Sequence, residues 1–548
     1  MSSKKIKDPI YGYIEIDDDL FESVIDTPEF QRLKDVVQTS YAALYPSTLH
    51  NRFVHSLGVY HLGGMAARSV CTNSRSEDVG LLKEYRAAFE LACLLHDVGH
   101  APFSHTGEIF YLEKGKRDSL HKGLVSLTKD ESLEKTIRDR GYKAAPHEIM
   151  SALIGIRTYK TIIGEKYLSF FARCITGYLY EEGQDNAGVL NCFIELLNSK
   201  ILDVDKIDYL IRDAYMSGFD SSSIDYERLL GGISVEIIGG DYTICYNKAA
   251  LSVVENVVYA HDLEKKWIQS HPTVLYEAYL IKRVFEEVIG QQFAEYKYLP
   301  IEVLSQKGVG LKGYGKIRLA SDSDIVYLMK NLKNRTSVVE EYFDRRKRKH
   351  PIWKTEAEFR AIFNGQDSTM VELKNALKEL ESSQRTGGII LNELILNSVE
   401  ADIEQYKNAL EEIDDDQIKE QYTAAIRIKE KQKELIKIFE NFSNEQKIPF
   451  DYLVLYTDYF NSSFKKTEFG DMKFKLPMVN EVNRFYEITS VLRQSDSREE
   501  EFFYIYYSKQ GKAMLSFSKL VKDLVAYAGK YWSEKNAVSV GNRVKDAK

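Results

Sequence analysis

A histidine in RFVHSLG (His55), a histidine–aspartate pair in LLHDVGHAPFSH (His96, Asp97) and an aspartate in LDVDKIDYLIRD (Asp205) supply two imidazoles and two carboxylates. That mixed nitrogen and oxygen set suits a divalent ion such as Mn, Fe, Zn or Mg. Such an ion can polarise a phosphoryl oxygen and lower the pKa of a bound water. The chemistry expected is therefore metal-assisted hydrolysis of a phosphate ester or anhydride. Neighbours on a helix diverge by roughly 100°. His96 and Asp97 can share one ion if it sits over a helix C-terminus, where Gly99 lets the backbone turn.

Other residues around this set carry polar chemistry. Eight of the 11 histidines fall between positions 50 and 147. His100, His105 and His147 are extra to the ligands, and histidine is the natural acid at neutral pH for a departing alkoxide or phosphate. His105 follows GHAPFS, a tight loop that could fold it back toward the ion. His147-Glu148 opens a helix, where Glu148 could orient the imidazole. His50, His61 and His121 read as structural. Arg52 stands three residues before His55, where a guanidinium could grip phosphate in bidentate fashion. Lys206, Tyr209 and Asp213 follow Asp205, the last two at helical spacings of four.

These residues need helices to hold them. Residues 52–70 and 84–100 read as apolar-faced helices, the second stopped by Gly99 and Pro102. Residues 147–156 and 200–218 read as further helices. YGYIEI alternates as a small strand or hairpin arm does, and residues 21–38 read as two short helical pieces broken at Pro28. GISVEIIGGDYTICY (232–246) reads as a hairpin, 249–268 and 272–295 as helices, and the glycines 308–315 as a loop. RRKRK (345–349) reads as a solvated helix face. Residues 356–445, with a break at Thr386-Gly387-Gly388, read as two or three long helices, an antiparallel pair projecting from the body. DYLVLYTDYF and FFYIYY are strand-like, and the tail after 533 reads as frayed. The fold class expected is mainly α: a helical core with small β-hairpins and a long helical C-terminal extension. The divisions expected are an N-terminal segment 1–48, a catalytic domain 49–300 and a C-terminal region 301–548.

The totals bound the rest. A chain of 548 residues exceeds what one hydrophobic core serves. Net charge is −8, which disfavours a nucleic-acid role, so anionic substrates need a local basic pocket. Five scattered cysteines without a CxxC spacing read as reduced thiols of a cytoplasmic protein. No apolar run reaches membrane-spanning length, so no membrane partner is expected.

KDPIYGYIEI, IDTPEFQRLK, HNRFVHSLGVYHLGG, LLHDVGHAPFSH and DVDKIDYLIRD, in that order and spacing, resemble the HD-domain superfamily. More narrowly they resemble the deoxynucleoside-triphosphate triphosphohydrolases, a group that includes bacterial dGTPases and the sterile-alpha-motif HD-domain protein. The likeness runs over residues 4–290. It implies His55, His96, Asp97 and Asp205 as metal ligands, and His105 as general acid with His100 and His147 beside the phosphates. It implies Arg52 and Lys206 on the triphosphate, Gln38 and Asp213 on the 3′-hydroxyl, Tyr209 on the sugar face and Tyr279 on the base. The implied reaction splits a deoxynucleoside triphosphate into deoxynucleoside and tripolyphosphate, for pool balance or defence against phage. His271 falls where an arginine is expected on the triphosphate, Leu280 follows Tyr279, and QTS (38–40) replaces QLG. Asp26 and Gln31 match positions that read an activating guanine nucleotide, while Lys7 and Lys34 replace other residues there. A homo-oligomer, tetramer or hexamer, is implied. Two alternatives stay open: an HD phosphohydrolase acting on another nucleotide, and a non-catalytic nucleotide sensor.

Overall fold

The computed structural model describes residues 2–75, 77–111, 117–141, 143–181, 183–219, 223–363, 367–380, 387–457, 469–478, 482–494, 502–509 and 515–545. It is mainly helical and divides into two compact units. The first comprises Met1–Gln269, Ile281–Arg335 and Asn461–Glu499; the second comprises Ser270–Leu280, Thr336–Phe460 and Glu500–Lys548. Among the described residues no helix is long and apolar enough to cross a membrane.

The first unit opens on an antiparallel hairpin, Ser3–Asp8 with Gly12–Asp17. A π turn at Phe21–Ile25 and a short helix Pro28–Gln31 follow, split at Pro28 as its fixed φ requires. Helix α1 spans Arg52–Asn73 and starts where the Asn51 side chain accepts from the Val54 N–H at 3.2 Å. Helix α2 spans Val79–Leu95. The two pack closely because position 63 has no side chain: a Cβ on Gly63 would lie 2.5 Å from Cys93 Sγ. Helix α3, Pro146–Ile163, has proline in its first turn, and α4, Val204–Ser217, is capped by Asp203 accepting from Lys206 N at 2.8 Å. The hairpin Ile233–Ile238 and Asp241–Asn247 forms at Gly239-Gly240, both at positive φ. It widens into a four-stranded sheet because Lys473–Lys475, far along the chain, pairs parallel to Asp241–Asn247.

The second unit is less helical than its sequence suggests. Its sheet runs His350–Pro351, Phe502–Tyr507, Asp451–Thr457, Ile389–Asn392, all antiparallel. All six residues of FFYIYY are buried, so that strand shows an unbroken aromatic run rather than alternation. Trp353 packs against it and donates Nε1–H to Phe503 O at 3.0 Å. Residues 356–445 hold two long helices, α5 (Glu393–Glu412) and α6 (Asp416–Gln446), but also two short ones and the strand Ile389–Asn392.

Several expectations are corrected. The glycines at 308–315 build a hairpin, Val309–Leu311 with Gly315–Ile317, where a loop was expected. In RRKRK only Arg345–Lys347 forms a short helical turn. Arg348 turns onto Glu277, and Lys349 bonds Glu341 at 2.9 Å and Asp451 at 2.8 Å, because inward carboxylates compete with solvent. The tail after 533 stays helical to Lys545 as part of helix α7, Ser518–Lys545. Thr386 and the last three residues of DYLVLYTDYF lie outside the described residues.

Candidate active site

The start of α1, the end of α2 and the first turn of α4 bring His55, His96, Asp97 and Asp205 together. His55 Nε2 lies 2.9 Å from Asp205 Oδ1, 3.5 Å from Asp97 Oδ2 and 3.3 Å from His96 Nε2. His96 Nε2 is 3.4 Å from Asp97 Oδ1 and 3.7 Å from Asp205 Oδ1. His96 caps α2, and its Nδ1 donates to Cys93 O at 2.9 Å, which leaves Nε2 as the inward nitrogen. Two ring nitrogens and several carboxylate oxygens thus face one point, a donor set that fits a divalent cation. His55 and Asp97 are fully buried, while the Asp205 side chain keeps 37% of its surface exposed and forms the open side.

A second layer of polar groups fixes these donors, and the sequence reading did not foresee it. Asp208, one turn after Asp205, accepts from His55 Nδ1 at 2.7 Å. It also accepts from Tyr11 OH at 2.7 Å and from Arg212 at 2.9 and 3.0 Å. Arg212 reaches on to Asp8 at the end of the first strand, at 3.0 Å. A carboxylate behind a ligating imidazole sets its tautomer and orientation. This chain explains why the N-terminal hairpin belongs to the site: its turn carries Asp8 and Tyr11. It also explains the glycine of RFVHSLG. A Cβ on Gly58 would stand 1.9 Å from Asp208 Oδ1 and 2.6 Å from Arg212 Nη2, both pinned by their other bonds. Gly58→Ala is expected to destabilise the fold by about 1–3 kcal/mol through overpacking. It should also weaken cation affinity by about 10–100-fold through the displaced Asp208. Denaturant midpoints and cation titration read the two effects separately.

Beyond Asp97 the chain turns sharply. Gly99 packs against the α3 backbone, where a Cβ would meet Met150 C and Ser151 N at 2.3 Å, and Gly99 N bonds Ser151 Oγ at 2.9 Å. Buried Arg32 donates to Val98 O at 3.0 Å and to His100 O at 2.8 Å, holding the turn from the other side. Phe103 and Ser104 adopt left-handed φ of 61° and 52°, which throws His105 back toward the cluster. Phe103 N is held there by Asp322 Oδ1 at 2.6 Å, and Val37 N by the other oxygen at 3.0 Å.

His100, His105 and His147 form a second group beside the first. The rings of His100 and His147 stack at 4.2 Å, and His105 meets both edge-on at 4.9 Å. His100 Nε2 is 3.2 Å from Asp97 Oδ1 without hydrogen-bond alignment, so this buried ring has no bonded partner among the described residues. Burial, reinforced by the Arg52 charge, drives its pKa well down, and it stays neutral. Glu108 organises the other two, accepting from His147 Nδ1 at 2.7 Å and His105 Nδ1 at 3.1 Å. Burial works against the Glu108 charge, but the two histidine hydrogen bonds outweigh it and hold the carboxyl far below its usual range. His147 is half-buried, and lost solvation works against its charge too, yet Glu108 holds its pKa above the usual imidazole value. Glu108 was not singled out from sequence; its spacing of three from His105 was the available signal.

The remaining expected residues fall in varied places. Glu148 does not orient His147. It accepts from Ala145 N at 2.6 Å and from Asn198 Nδ2 at 2.8 Å, closing the first turn of α3. Buried Arg52 spends its guanidinium on Asp97 at 2.6 Å, Ser104 Oγ at 2.9 Å and Gln38 O at 3.1 Å. Lys206 folds back on Asp203 at 2.5 Å and Ser199 O at 2.7 Å. Asp213 accepts from His50 at 2.7 Å, and Gln38 leaves a buried Oε1 without a partner among the described residues. Tyr209, half-buried on α4, has its hydroxyl pKa pushed well up by burial. His271 and Tyr279 belong to the second unit, where His271 Nδ1 accepts from Thr273 N at 3.2 Å and Tyr279 lines the core. Lys7 lies over the Tyr13 ring at 4.4 Å and Lys34 over Phe53 at 4.7 Å. Gln31 donates to Ile25 O at 2.7 Å, and Asp26 ends the π turn. Lys282, lowered by burial and within reach of the Glu108 charge, is a cation the sequence reading did not name.

Burial alone would lower the His55 pKa, but its bonds to Asp205 and Asp208 and their charges hold it at about 10 in the cation-free protein. A proton there competes with a cation for Nε2. A raised folded pKa contributes stability that is complete below the unfolded value of 6.5 and lost as pH climbs toward 10. Cation-free protein should therefore lose stability as pH rises across that window. Cation binding should release protons and tighten as pH rises. Thermal melts across that pH range, with chelator and with Mn²⁺, check both signs.

Residues 52–143 match the model of the HD domain. The chain is 30% identical over 260 residues to an uncharacterized protein of Mycoplasma genitalium, covering 47% of this chain and 53% of that one. It is 31% identical over 244 residues to the deoxynucleoside triphosphate triphosphohydrolase SAMHD1 of Bos taurus, covering 41% of this chain and 38% of that one. Against the same-named protein of Homo sapiens it is 29% identical over 258 residues, 44% of this chain and 38% of that one. The chain thus spans about half, or less, of the length of these curated relatives.

Proposed function

We propose that this chain is a metal-dependent hydrolase of deoxynucleoside triphosphates that releases deoxynucleoside and tripolyphosphate. The observation that carries the reading is the meeting of His55, His96 and Asp97, with Asp205 2.9 Å from His55, beside a three-histidine group governed by Glu108. The HD-domain match and the likeness to triphosphohydrolases support the same class. A divalent ion held by the four residues would supply Lewis acidity on a phosphoryl oxygen and an acidified water. The chain's own residues do the rest. Arg52 keeps Asp97 ionised and aimed inward. Asp208 fixes the tautomer of His55, so that Nε2 faces the donors. His105, the most exposed of the three histidines, protonates the departing 5′-oxygen, and Glu108 positions it while keeping His147 charged against the phosphates. Gln38 and Asp213 take the 3′-hydroxyl, Gln38 through its unpartnered buried oxygen.

One observation favours a second reading. Arg52 and Lys206, the two cations expected on a triphosphate, are both engaged by protein partners. An HD phosphohydrolase of a nucleotide with fewer phosphates would need fewer cations. Turnover of the four deoxynucleoside triphosphates, the matching monophosphates and the ribonucleotides, each with Mn²⁺, separates the readings. The proposal expects deoxynucleoside triphosphates to be consumed at least tenfold faster than the other two classes; preference for monophosphates would replace it with the second.

A further inference from the structure

Asp322 opens the helix Asp322–Lys330, yet its side chain does not serve that helix. The cap is made by Ser321 and Asp324, whose carboxylate accepts from Ser321 N at 2.9 Å. The Asp322 carboxylate turns inward, is 8% exposed, and takes one backbone N–H on each oxygen: Phe103 N at 2.6 Å and Val37 N at 3.0 Å. Burial pushes this carboxyl up to about 7 against the pull of those two bonds, with Asp35 adding to the rise and Arg32 opposing it. The fold thus bears the cost of a buried acid whose bonds go to two distant segments, a pattern that gathers at functional sites.

Both segments lead straight into the proposed site. Val37 precedes Gln38. Phe103 and Ser104 precede His105, and both hold left-handed φ, 61° and 52°. Residues other than glycine keep such φ only where their surroundings impose it. Ser104 Oγ donates to Val37 O and accepts from Arg52 Nε at 2.9 Å, so the two segments are also tied to each other. The residues before Asp322 are fastened at the same place. Ser321 Oγ donates to Asp35 at 2.6 Å, and Ala320 O accepts at 2.9 Å from Arg32, which also holds Val98 O and His100 O. The His105 side chain is 62% exposed and has one hydrogen bond among the described residues, to Glu108 at 3.1 Å. Its place therefore depends on the backbone beneath it.

We propose that Asp322 is a positioning residue of the active site: its carboxylate fixes the segment that carries His105 against the segment that carries Gln38. The inference rests on His105 as general acid and Gln38 as a partner of the 3′-hydroxyl. Asp322 lies outside residues 52–143, which match the HD domain, so this chain braces its site with a segment beyond that domain. An amide in its place offers one acceptor and turns an NH₂ group toward the other N–H. Asp322→Asn should therefore free one segment with almost no change in volume. A misplacement of about 1 Å at a reacting group costs on the order of 10²-fold in rate.

The test is a mutant cycle on the full chain with Mn²⁺ and a deoxynucleoside triphosphate: wild type, D322N, H105A and D322N/H105A. D322N should lower kcat by about 10–100-fold. Mn²⁺ affinity should stay within a few-fold, since the bonds of Asp322 go to Phe103 and Val37 and to none of the cation donors. In the H105A background the same substitution should cost less than about threefold, because no acid is left to misplace. A residue that only stabilises the fold would cost the same in both backgrounds. Asp35→Ala, an exposed change that frees Ser321 Oγ, repeats the cycle should D322N fail to fold. Its loss should be about three- to tenfold, again only where His105 is present. A second readout needs no substrate: in ¹H–¹³C spectra of the histidine rings of Mg²⁺-loaded protein, the His105 signal should move in either variant while those of His55 and His96 stay. If the wild type consumes no deoxynucleoside triphosphate, the functional reading fails and this spectrum alone judges Asp322. Equal losses with and without His105, wild-type kcat in folded D322N, or an unmoved His105 signal would each overturn the proposal.

Discussion

Asp205→Ala is expected to reduce hydrolysis by at least about three orders of magnitude while leaving the fold intact. The reduction follows from losing a cation donor in a site where metal polarisation is worth several kcal/mol, each 1.36 kcal/mol being about tenfold in rate. The fold should survive because the Asp205 side chain is 37% exposed and is not the N-cap of α4, which Asp203 provides. The contrast with Asp208 makes the experiment informative. Asp208 is fully buried and bonds His55, Tyr11 and Arg212, so Asp208→Ala leaves a buried guanidinium without its main partner. Removing one member of such a pair costs about 3–5 kcal/mol. Two aspartates one helical turn apart should therefore separate cleanly: one removes activity and cation binding, the other stability as well. Cation titration with thermal melts of both variants reads the difference. Normal cation affinity in Asp205→Ala would remove Asp205 from the ligand set.

Glu108→Gln should lower turnover by about 10²–10⁴-fold, the range spanned by a positioned general acid. Glutamine is nearly isosteric and can still accept from one histidine, so the loss comes from charge. Without the carboxylate, His147 loses the group that outweighs its burial and holds its proton. Its pKa should fall, and the limb of the rate profile where activity declines with rising pH should move to lower pH. Cation affinity should stay within a few-fold of wild type, because Glu108 touches neither His55, His96 nor Asp97 through any hydrogen bond or ion pair of the structure. An unchanged pH profile with lowered turnover would assign Glu108 a packing role instead.

The donors closest to the proposed cation were legible in the sequence because their residue types are rare in apolar helices and their local contexts are distinctive. His55, His96, Asp97 and Asp205 stand in three such contexts, and the structure brings their side chains together. The groups behind them were not legible. Asp208 sits in the same segment as Asp205 and looks like an ordinary helical carboxylate; only its approach to His55, across 153 positions, reveals it. Glu108 reaches His147 across 39 positions. Arg52 was placed on the right helix, but its bonds to Asp97, Ser104 and Gln38 were not foreseen, because spacing sets the face of a helix and not what stands opposite. The mainly helical fold followed from long apolar-faced segments. In the second unit the two long strands were legible as aromatic, strand-like runs, but their union with His350–Pro351 and Ile389–Asn392 into one sheet was not, because its pieces come from four distant segments.

The most direct measurement is phosphorus NMR of the products when purified protein is incubated with Mn²⁺ and each deoxynucleoside triphosphate in ¹⁸O-labelled water. The account predicts tripolyphosphate as the only phosphorus product, with one ¹⁸O on its terminal phosphorus and none in the deoxynucleoside. Pyrophosphate or orthophosphate, or label in the nucleoside, or no product from protein shown to hold the cation, would contradict it.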